Sequence, residues 1–373
     1  MSVRSEIEKI SEVIVCEPGK DHDLMRPEHI QEYLSEGTLN PDYLLFDDLI
    51  DTQLAIKEHR EFTDLIKLFT GPGGCYDVWN YFTDGSEINP GVHEHNPGLF
   101  DKVMPNLIFT RDLAVRIGSI IVGTWAAKKV RNHENKLFAH LLYELFEPEE
   151  VIHFHDIAPN TSLEGGDVTI FNKDLVIIGI SERTTKEAIK VLEPIIFDEG
   201  FNRIYAVELP KKRSMMHIDT VFTRIDEEDV LYFPPLFDLQ KPNIYNITPG
   251  KSISNVKPTQ INLIELLNED GYKTNGIKCG GKLGLNQYRE QWTDGANAFC
   301  LQPGIAVGYS RNIHTIEELK KNGYKIMTSN EFISKFDNIS DDKIFITLNS
   351  TEICRGRGGP RCLTLPLSRG AHG

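Results

Sequence analysis

Leu163-Glu-Gly-Gly-Asp-Val-Thr-Ile-Phe171, the turn Asn172-Lys-Asp174 and Leu175-Val-Ile-Ile-Gly-Ile180 read as a tight hairpin of two apolar strands. A helix follows, opening at Thr184 with Glu187 three residues on, a capping-box spacing. The same order recurs on either side. Ala114-Val-Arg-Ile117, Gly118-Ser119 and Ile120-Ile-Val-Gly123 precede a helix over about 131–146, with Leu137, Leu141 and Leu142 on one face. His217-Ile-Asp-Thr-Val-Phe-Thr-Arg-Ile225, an acidic turn at 226–229 and Val230-Leu-Tyr-Phe233 lead to a weaker helix near 259–268. Ala298-Phe-Cys-Leu301, Gln302-Pro-Gly304 and Ile305-Ala-Val-Gly-Tyr309 lead to a helix capped by Thr315 and Glu318 and ended by Gly323. Each unit has an amphipathic face too small to stand alone, so the copies are expected to share one core. The first strand, Ile10–Cys16, and the last segment, Ile344–Pro366, are expected to supply a fifth unit.

Outside the repeat, Phe62, Leu65, Ile66 and Phe69 mark a helix that Gly71-Pro72-Gly73-Gly74 stops. Residues 20–42 are polar and irregular. Residues 74–105, rich in Gly, Pro, Asn and His, read as a long surface connection with short helical turns.

Composition narrows the function. The formal net charge of -15 argues against nucleic acid as a partner and makes any cluster of arginines stand out as an anion site. No apolar run approaches the length of a membrane helix, and the polar Met1-Ser-Val-Arg-Ser-Glu6 is unlike a secretory signal. Six cysteines without a CxxC pair fit neither a zinc ribbon nor a disulfide framework, so a reducing cytoplasm is the simplest compartment. Cys16 and Cys300 lie in apolar runs and read as packing residues.

Each unit places an acid or a histidine where its first strand opens: Asp112, then Glu164 and Asp167, then His217 and Asp219. Near the chain end Cys362 follows a glycine- and arginine-rich run, 356–361, that reads as mobile and leaves the thiol exposed on one side. Arg357 and Arg361 beside it are expected to favour the thiolate, the nucleophilic form. Units arranged around an axis would bring these groups together. Residues two apart in a strand point the same way, so His217 and Asp219 would face one site.

A cysteine, a histidine and several carboxylates suit a planar cationic substrate. Asp112 and Asp219 can each grip a guanidinium in fork geometry, Cys362 can attack its carbon, and His217, held by Glu164, can protonate the departing amine. A metal site built from the Asp, Glu and His is the competing reading, without an HxxxH or HxH pair to support it. The expectation is therefore no metal and no cofactor.

Here the sequence resembles the arginine deiminase family of guanidino-group-modifying enzymes over nearly the whole chain. The resemblance rests on Ser5–Gly19, Leu44-Leu-Phe-Asp-Asp48, Asn106-Leu-Ile-Phe-Thr-Arg-Asp112, Glu164-Gly-Gly-Asp167, His217-Ile-Asp-Thr-Val-Phe-Thr223, Arg289-Glu-Gln-Trp-Thr-Asp-Gly295 and Arg357-Gly-Gly-Pro-Arg-Cys362. It implies an α/β five-bladed propeller in one catalytic domain, 1–373. It also implies deimination of free L-arginine to citrulline and ammonium through a covalent thiouronium on Cys362. His217 matches the general acid/base, Glu164 its partner, and Asp112 and Asp219 the guanidinium-binding pair. Arg131, Arg183 and Arg357 match the residues that hold the substrate α-carboxylate, and Asn106 an amide at the α-amino end. Asp167 joins the substrate-binding set. The family's multi-helix insert is shortened here to residues 70–105, which leaves assembly into a homo-oligomer open. An amidinotransferase, an arginine dihydrolase and a non-catalytic arginine-binding homologue stand as alternatives.

Overall fold

The computed structural model describes residues 1–84, 87–88, 102–339 and 343–370. The fold is mixed α/β. Among the described residues, five sheets share one pattern, in which an antiparallel pair of strands continues into a third strand parallel to the second. Ala114–Ile117 pairs with Ile120–Gly123, which runs parallel to Val151–His153. Val168–Ile170 pairs with Leu175–Ile180, parallel to Arg203–Glu208. Phe222–Arg224 pairs with Asp229–Tyr232, parallel to Asn275–Lys278. Phe299–Gln302 pairs with Ile305–Tyr309, parallel to Ile344–Leu348. Leu365–Arg369 pairs with Ile10–Val15, parallel to Cys75–Asp77. The fifth sheet thus joins the two ends of the chain. The expected segment 344–366 divides: Ile344–Leu348 completes the fourth sheet, and only Leu365–Arg369 pairs with the first strand.

Helices bridge the second and third strands because each carries one apolar stripe. Thr52–Thr70 starts at Asp51, whose carboxylate accepts from Leu54 N–H, and stops at Gly71 with φ 72°. It buries Phe62, Leu65, Ile66 and Phe69, as the spacing predicts. Asn132–Leu145 buries Leu137, Phe138, Leu141 and Leu142 against Ala114 and Ile121. Lys186–Asp198 buries Ala188, Ile189, Leu192 and Ile196 against Val176, Ile178 and Ile204. Each such aliphatic side chain contributes roughly 1.5–3 kcal/mol, so a single stripe outweighs the modest intrinsic stability of a short helix.

Two caps differ from expectation. Thr185, not Thr184, caps the 186–198 helix by accepting from Ala188 N–H, because the Thr184 hydroxyl accepts instead from Glu164 N–H at 3.2 Å. The helix after the fourth hairpin, Ile313–Lys321, starts before Thr315, whose hydroxyl is bonded to Glu290. Of the segment 70–105, the described part contains a short helix, Val78–Phe82, and a two-residue strand pair, Thr83–Asp84 with Glu87–Ile88. Cys75–Asp77, expected to belong to this connection, is instead a strand of the fifth sheet, and residues 85–86 and 89–101 of the expected insert lie outside the described residues. No helix among the described residues is long and apolar enough to cross a membrane.

Candidate active site

The first strand of each sheet is preceded by a tight turn, and these turns carry the polar residues inward. Asp112 ends the 3-10 turn Thr110–Asp112, Glu164 precedes the turn Gly165–Asp167, and His217 precedes Ile218–Thr220. Alternation along a strand therefore does not aim His217 and Asp219. His217 is extended, at φ -135° and ψ 160°, and Asp219 sits inside the turn. The two still meet one site, reached from adjoining points of a bend.

His217 is buried, with Nε2 2.8 Å from Glu164 Oε2 and Nδ1 3.5 Å from Asp112 Oδ1. Burial alone would lower its pKa, but Asp112, Glu164 and Asp167 outweigh it and lift the imidazole to about 9. Glu164 is itself buried, which raises its pKa, yet Arg183 and His217 pull it well below the carboxylate range. The histidine is thus an imidazolium between two acids at neutral pH. Gly166 makes room for this: a Cβ there would lie 2.6 Å from His217 Nδ1 and 2.8 Å from Asp112 Oδ1.

Cys362 is 6% exposed rather than open on one side. Its Sγ lies 3.6 Å from Asp219 Oδ2 and accepts from Asn297 Nδ2 at 3.2 Å. Burial pushes the thiol well above its usual pKa, Asp219, Asp112 and Asp294 add to the rise, and Arg361 offsets only part of it. The expected thiolate-favouring field is therefore reversed in the ligand-free site. Arg361 is committed elsewhere, to Asp219 at 2.9 Å, to Glu6 at 3.0 Å and to the Val168 carbonyl at 2.7 Å. The run 356–361 is buried, not loose. A Cβ on Gly356 would strike the Phe46 ring, one on Gly358 the Phe109 ring and one on Gly359 the Asn297 side chain. These glycines serve close packing.

Asp112 and Asp219 each use one oxygen for a hydrogen bond; the other makes none, although Asp112 Oδ1 still faces the His217 imidazolium at 3.5 Å. Asp112 Oδ2 takes Arg131 Nη1 at 2.6 Å, and Asp219 Oδ2 takes Arg361. Oδ1 of both is buried without a hydrogen-bond partner. A buried carboxylate oxygen without a hydrogen-bond donor is costly, so these two, beside the thiol and the imidazolium, are acceptors suited to a cationic donor.

The remaining expected residues are distributed around this centre. Arg131 is held by Asp112, by Glu134 at 2.6 Å and by the Asn106 carbonyl at 2.9 Å. The Asn106 side chain donates to the Leu44 carbonyl at 2.7 Å. Arg183 lies 3.3 Å from Glu164 and 3.0 Å from Glu182. Asp167 accepts from Ile218 N–H at 3.0 Å and from the Ser181 hydroxyl at 2.6 Å, bracing the turn after His217. Arg357 has positive φ, 67°, donates to the Trp292 carbonyl at 3.0 Å and stacks 3.7 Å above the Trp292 ring. Its Nε and Nη2 are buried and unpartnered.

Asp112, Glu164 and His217 are the one group among the described residues close enough to share a metal, with ligand atoms within 4.8 Å of one another. Arg131 and Arg183 already sit on the two acids and His217 bonds between them, so three cations account for that cluster. A cavity of about 910 Å³ lies elsewhere, between the 52–70 helix, the end of the first strand and residues 102–104, and touches none of these groups. Sequence reasoning passed over Glu6, Trp292 and Asn297. Asn297 alone carried a signal, standing before the first strand of the fourth unit as Asp112, Glu164 and His217 do in theirs.

Comparison with known proteins agrees with this arrangement. A family model described as arginine deiminase matches residues 84–369. The arginine deiminase of Mycoplasma capricolum is 29% identical over 427 residues, covering 99% of this chain and 97% of that protein. That of Borrelia recurrentis is 30% identical, covering 96% and 82%. Among solved structures, the N-terminal domain of ArgZ bound to product, an arginine dihydrolase from the ornithine–ammonia cycle in cyanobacteria, superposes with a TM-score of 0.59 at 15% identity, covering 97% of this chain and 99% of that one. A dimethylarginine dimethylaminohydrolase adduct with S-methyl-L-thiocitrulline gives 0.57 at 13%, covering 95% and 99%. At these identities the two structures speak for the fold, while the sequence relatives and the family model speak for kinship: the chain belongs to the arginine deiminase family.

Proposed function

We propose that this enzyme hydrolyses free L-arginine to citrulline and ammonium at Cys362. The observation that carries the reading is the pair of buried oxygens on Asp112 and Asp219 that accept no hydrogen bond, one facing the His217 imidazolium and the other on the acid beside the Cys362 thiol. A guanidinium placed between them gives each oxygen a charge-assisted donor and offsets the carboxylate field that holds the thiol protonated. The Cys362 proton is then lost to solvent as the guanidinium binds, and the thiolate Sγ bonds to the guanidinium carbon. His217 gives its proton to the amine as the C–N bond breaks, and ammonia departs, leaving a thiouronium on sulfur. Water attacks that carbon, His217 takes one of its protons, and the C–S bond breaks as the second water proton passes to solvent and converts the departed ammonia to ammonium, releasing citrulline and the thiolate. Asp167 positions the His217 turn. Asn106 and Arg131 shape the wall beside Asp112, and Arg183 and Arg357 supply positive charge for the α-carboxylate.

We infer a five-bladed α/β propeller in a single domain from the five sheets of common pattern, with the chain ends closing the ring. The alignment to the Mycoplasma relative runs over 427 residues, longer than this 373-residue chain, which supports a shortened insert around 70–105. We infer that residues 355–360, buried against Phe46, Phe109 and Asn297, lift to admit substrate and carry Arg357 onto its carboxylate as they close. A cytoplasmic enzyme needing no cofactor fits this chemistry, since thiol and carboxylates supply nucleophile and charge.

The test is product analysis with arginine, agmatine and citrulline offered side by side. Citrulline and ammonia in equal amounts from arginine, with agmatine a poor substrate, is the expected result. Neither product, or ornithine as the main one, would overturn the proposal.

A further inference from the structure

The fourth unit sends one side chain to the centre, and the mechanism above leaves it without a task. Asn297 is 1% exposed and precedes the strand Phe299–Gln302, the place that Asp112, Glu164 and His217 hold in their own units. Its carboxamide makes three bonds. Oδ1 accepts from Arg361 N–H at 3.0 Å, and Nδ2 donates to the Asp219 carbonyl at 3.1 Å and to Cys362 Sγ at 3.2 Å.

The first two bonds fix which end of the amide faces the sulfur. A backbone N–H requires an acceptor and a backbone carbonyl a donor, so a flipped carboxamide would oppose like to like at both. With one Nδ2 hydrogen on the Asp219 carbonyl, the other is aimed at Sγ. The neighbouring loop is built to admit this group: a Cβ on Gly359 would collide with Asn297 Oδ1, its carbonyl and its Cβ. A residue that only filled space would not need both a glycine and two backbone partners to hold its orientation.

Resting on the assignment of Cys362 as nucleophile, we propose that Asn297 is a catalytic residue whose Nδ2–H bonds the Cys362 sulfur and stabilises its thiolate, both before attack and when the C–S bond breaks. The charged groups that act on the same sulfur are Asp112, Asp219 and Asp294, which oppose the anion, and Arg361 and Arg357, which favour it. Asn297 is the neutral donor among them, so its contribution persists whichever of these groups changes charge.

The experiment reads the thiol directly and needs no turnover. Iodoacetamide alkylation of Cys362, located by peptide mass, is followed against pH in the full-length parent and in Asn297→Ala and Asn297→Asp. Loss of one bond to an anion raises the pH midpoint by about one unit in Asn297→Ala. At fixed pH that is roughly tenfold less thiolate, partly offset by greater intrinsic nucleophilicity, so the rate falls about threefold. Asn297→Asp keeps the size and the acceptor for Arg361 N–H but sets an anion beside the sulfur, and its midpoint rises further than that of the alanine variant. Circular dichroism confirms that each variant compared is folded, and the aspartate variant carries the test if the alanine one is not. Midpoints unchanged, or lower in the aspartate variant, overturn the proposal. Citrulline formation by Cys362→Ala would instead count against Cys362 as the nucleophile, a separate result that leaves the alkylation readout intact.

Discussion

Replacing Arg357 with alanine separates recognition of the substrate's two ends. Arg357 donates one bond to the Trp292 carbonyl and stacks on the Trp292 ring, while Nε and Nη2 stay buried and unpartnered. Those two nitrogens form one edge of the guanidinium, the edge that a carboxylate takes with two parallel hydrogen bonds. The nearest acid is Asp47, whose Oδ2 is 3.9 Å from Nε, outside hydrogen-bond range. The α-carboxylate of arginine would therefore fill an existing deficit. A charge-assisted contact is worth about 1.5–3 kcal/mol, so Arg357→Ala should lower kcat/KM for arginine by about 10- to 150-fold. Agmatine has the guanidinium without the carboxylate. Its turnover, or its competitive inhibition where turnover is too slow, should change less than about threefold. The ratio of the two effects isolates the carboxylate contact from any general disturbance of the loop. Initial rates of ammonia release, taken well below KM, provide the numbers. An equal loss for both compounds, or a loss below threefold for arginine, would refute the assignment of Arg357 to the carboxylate.

Two further outcomes follow from packing and charge. Gly166→Ala places a methyl group against His217 Nδ1 and Asp112 Oδ1, so citrulline formation should fall at least a hundredfold while the far-ultraviolet circular dichroism stays that of the parent. Retained activity would show that the imidazole is not confined as described. Glu6 lies among Arg361, Arg111 and Arg369; burial raises its pKa, but these cations outweigh it and hold it at about 2 against an ordinary 4.5. A depressed carboxylate adds stability that is complete above about 4.5 and lost as pH falls toward 2. Glu6→Gln should remove that acid-dependent step and destabilise the neutral-pH protein by about 3–5 kcal/mol, since it leaves buried guanidinium charge uncompensated. Denaturant melts of parent and variant from pH 7 to pH 3 check both; parallel curves would contradict the linkage.

The hairpin-and-helix order was legible because apolar runs, tight turns and helix stripes are local patterns; two of the four internal hairpins open within a residue of expectation, while those expected from Leu163 and His217 open at Val168 and Phe222, after the turns that carry the site. The fifth sheet was only half legible. Its strands come from opposite ends of the chain, and nothing local tells Leu365–Arg369 from Ile344–Leu348 as the partner of Ile10–Val15. The Thr184 and Thr185 hydroxyls were equivalent in sequence; the demand of Glu164 N–H, set by the tertiary fold, chose between them. The glycines at 356, 358 and 359 suggested mobility, and the aromatic rings and Asn297 that make them necessary are distant in sequence. Asn297 itself escaped a search for acids and histidines because it is neutral, although its place in the repeat was the right one.

The same electrostatics explain why a neutral group belongs beside the sulfur. Asp112 and Asp219 attract a cation and, for the same reason, hold the Cys362 thiol protonated while the site is empty. An arginine aimed at Sγ would relieve that field permanently. It would lower the thiol pKa but occupy the free carboxylate oxygens that the substrate guanidinium needs. Arg361 avoids this by binding Asp219 through Oδ2, with Glu6 drawing its other edge away, so Oδ1 stays open. An amide donor strengthens the thiolate without neutralising either acid. The charge that completes the nucleophile is then the substrate's own, and thiolate forms chiefly when a guanidinium is there to be attacked. Reactivity and recognition are coupled through two carboxylate oxygens, which is why leaving them without hydrogen-bond donors is worth its cost in stability.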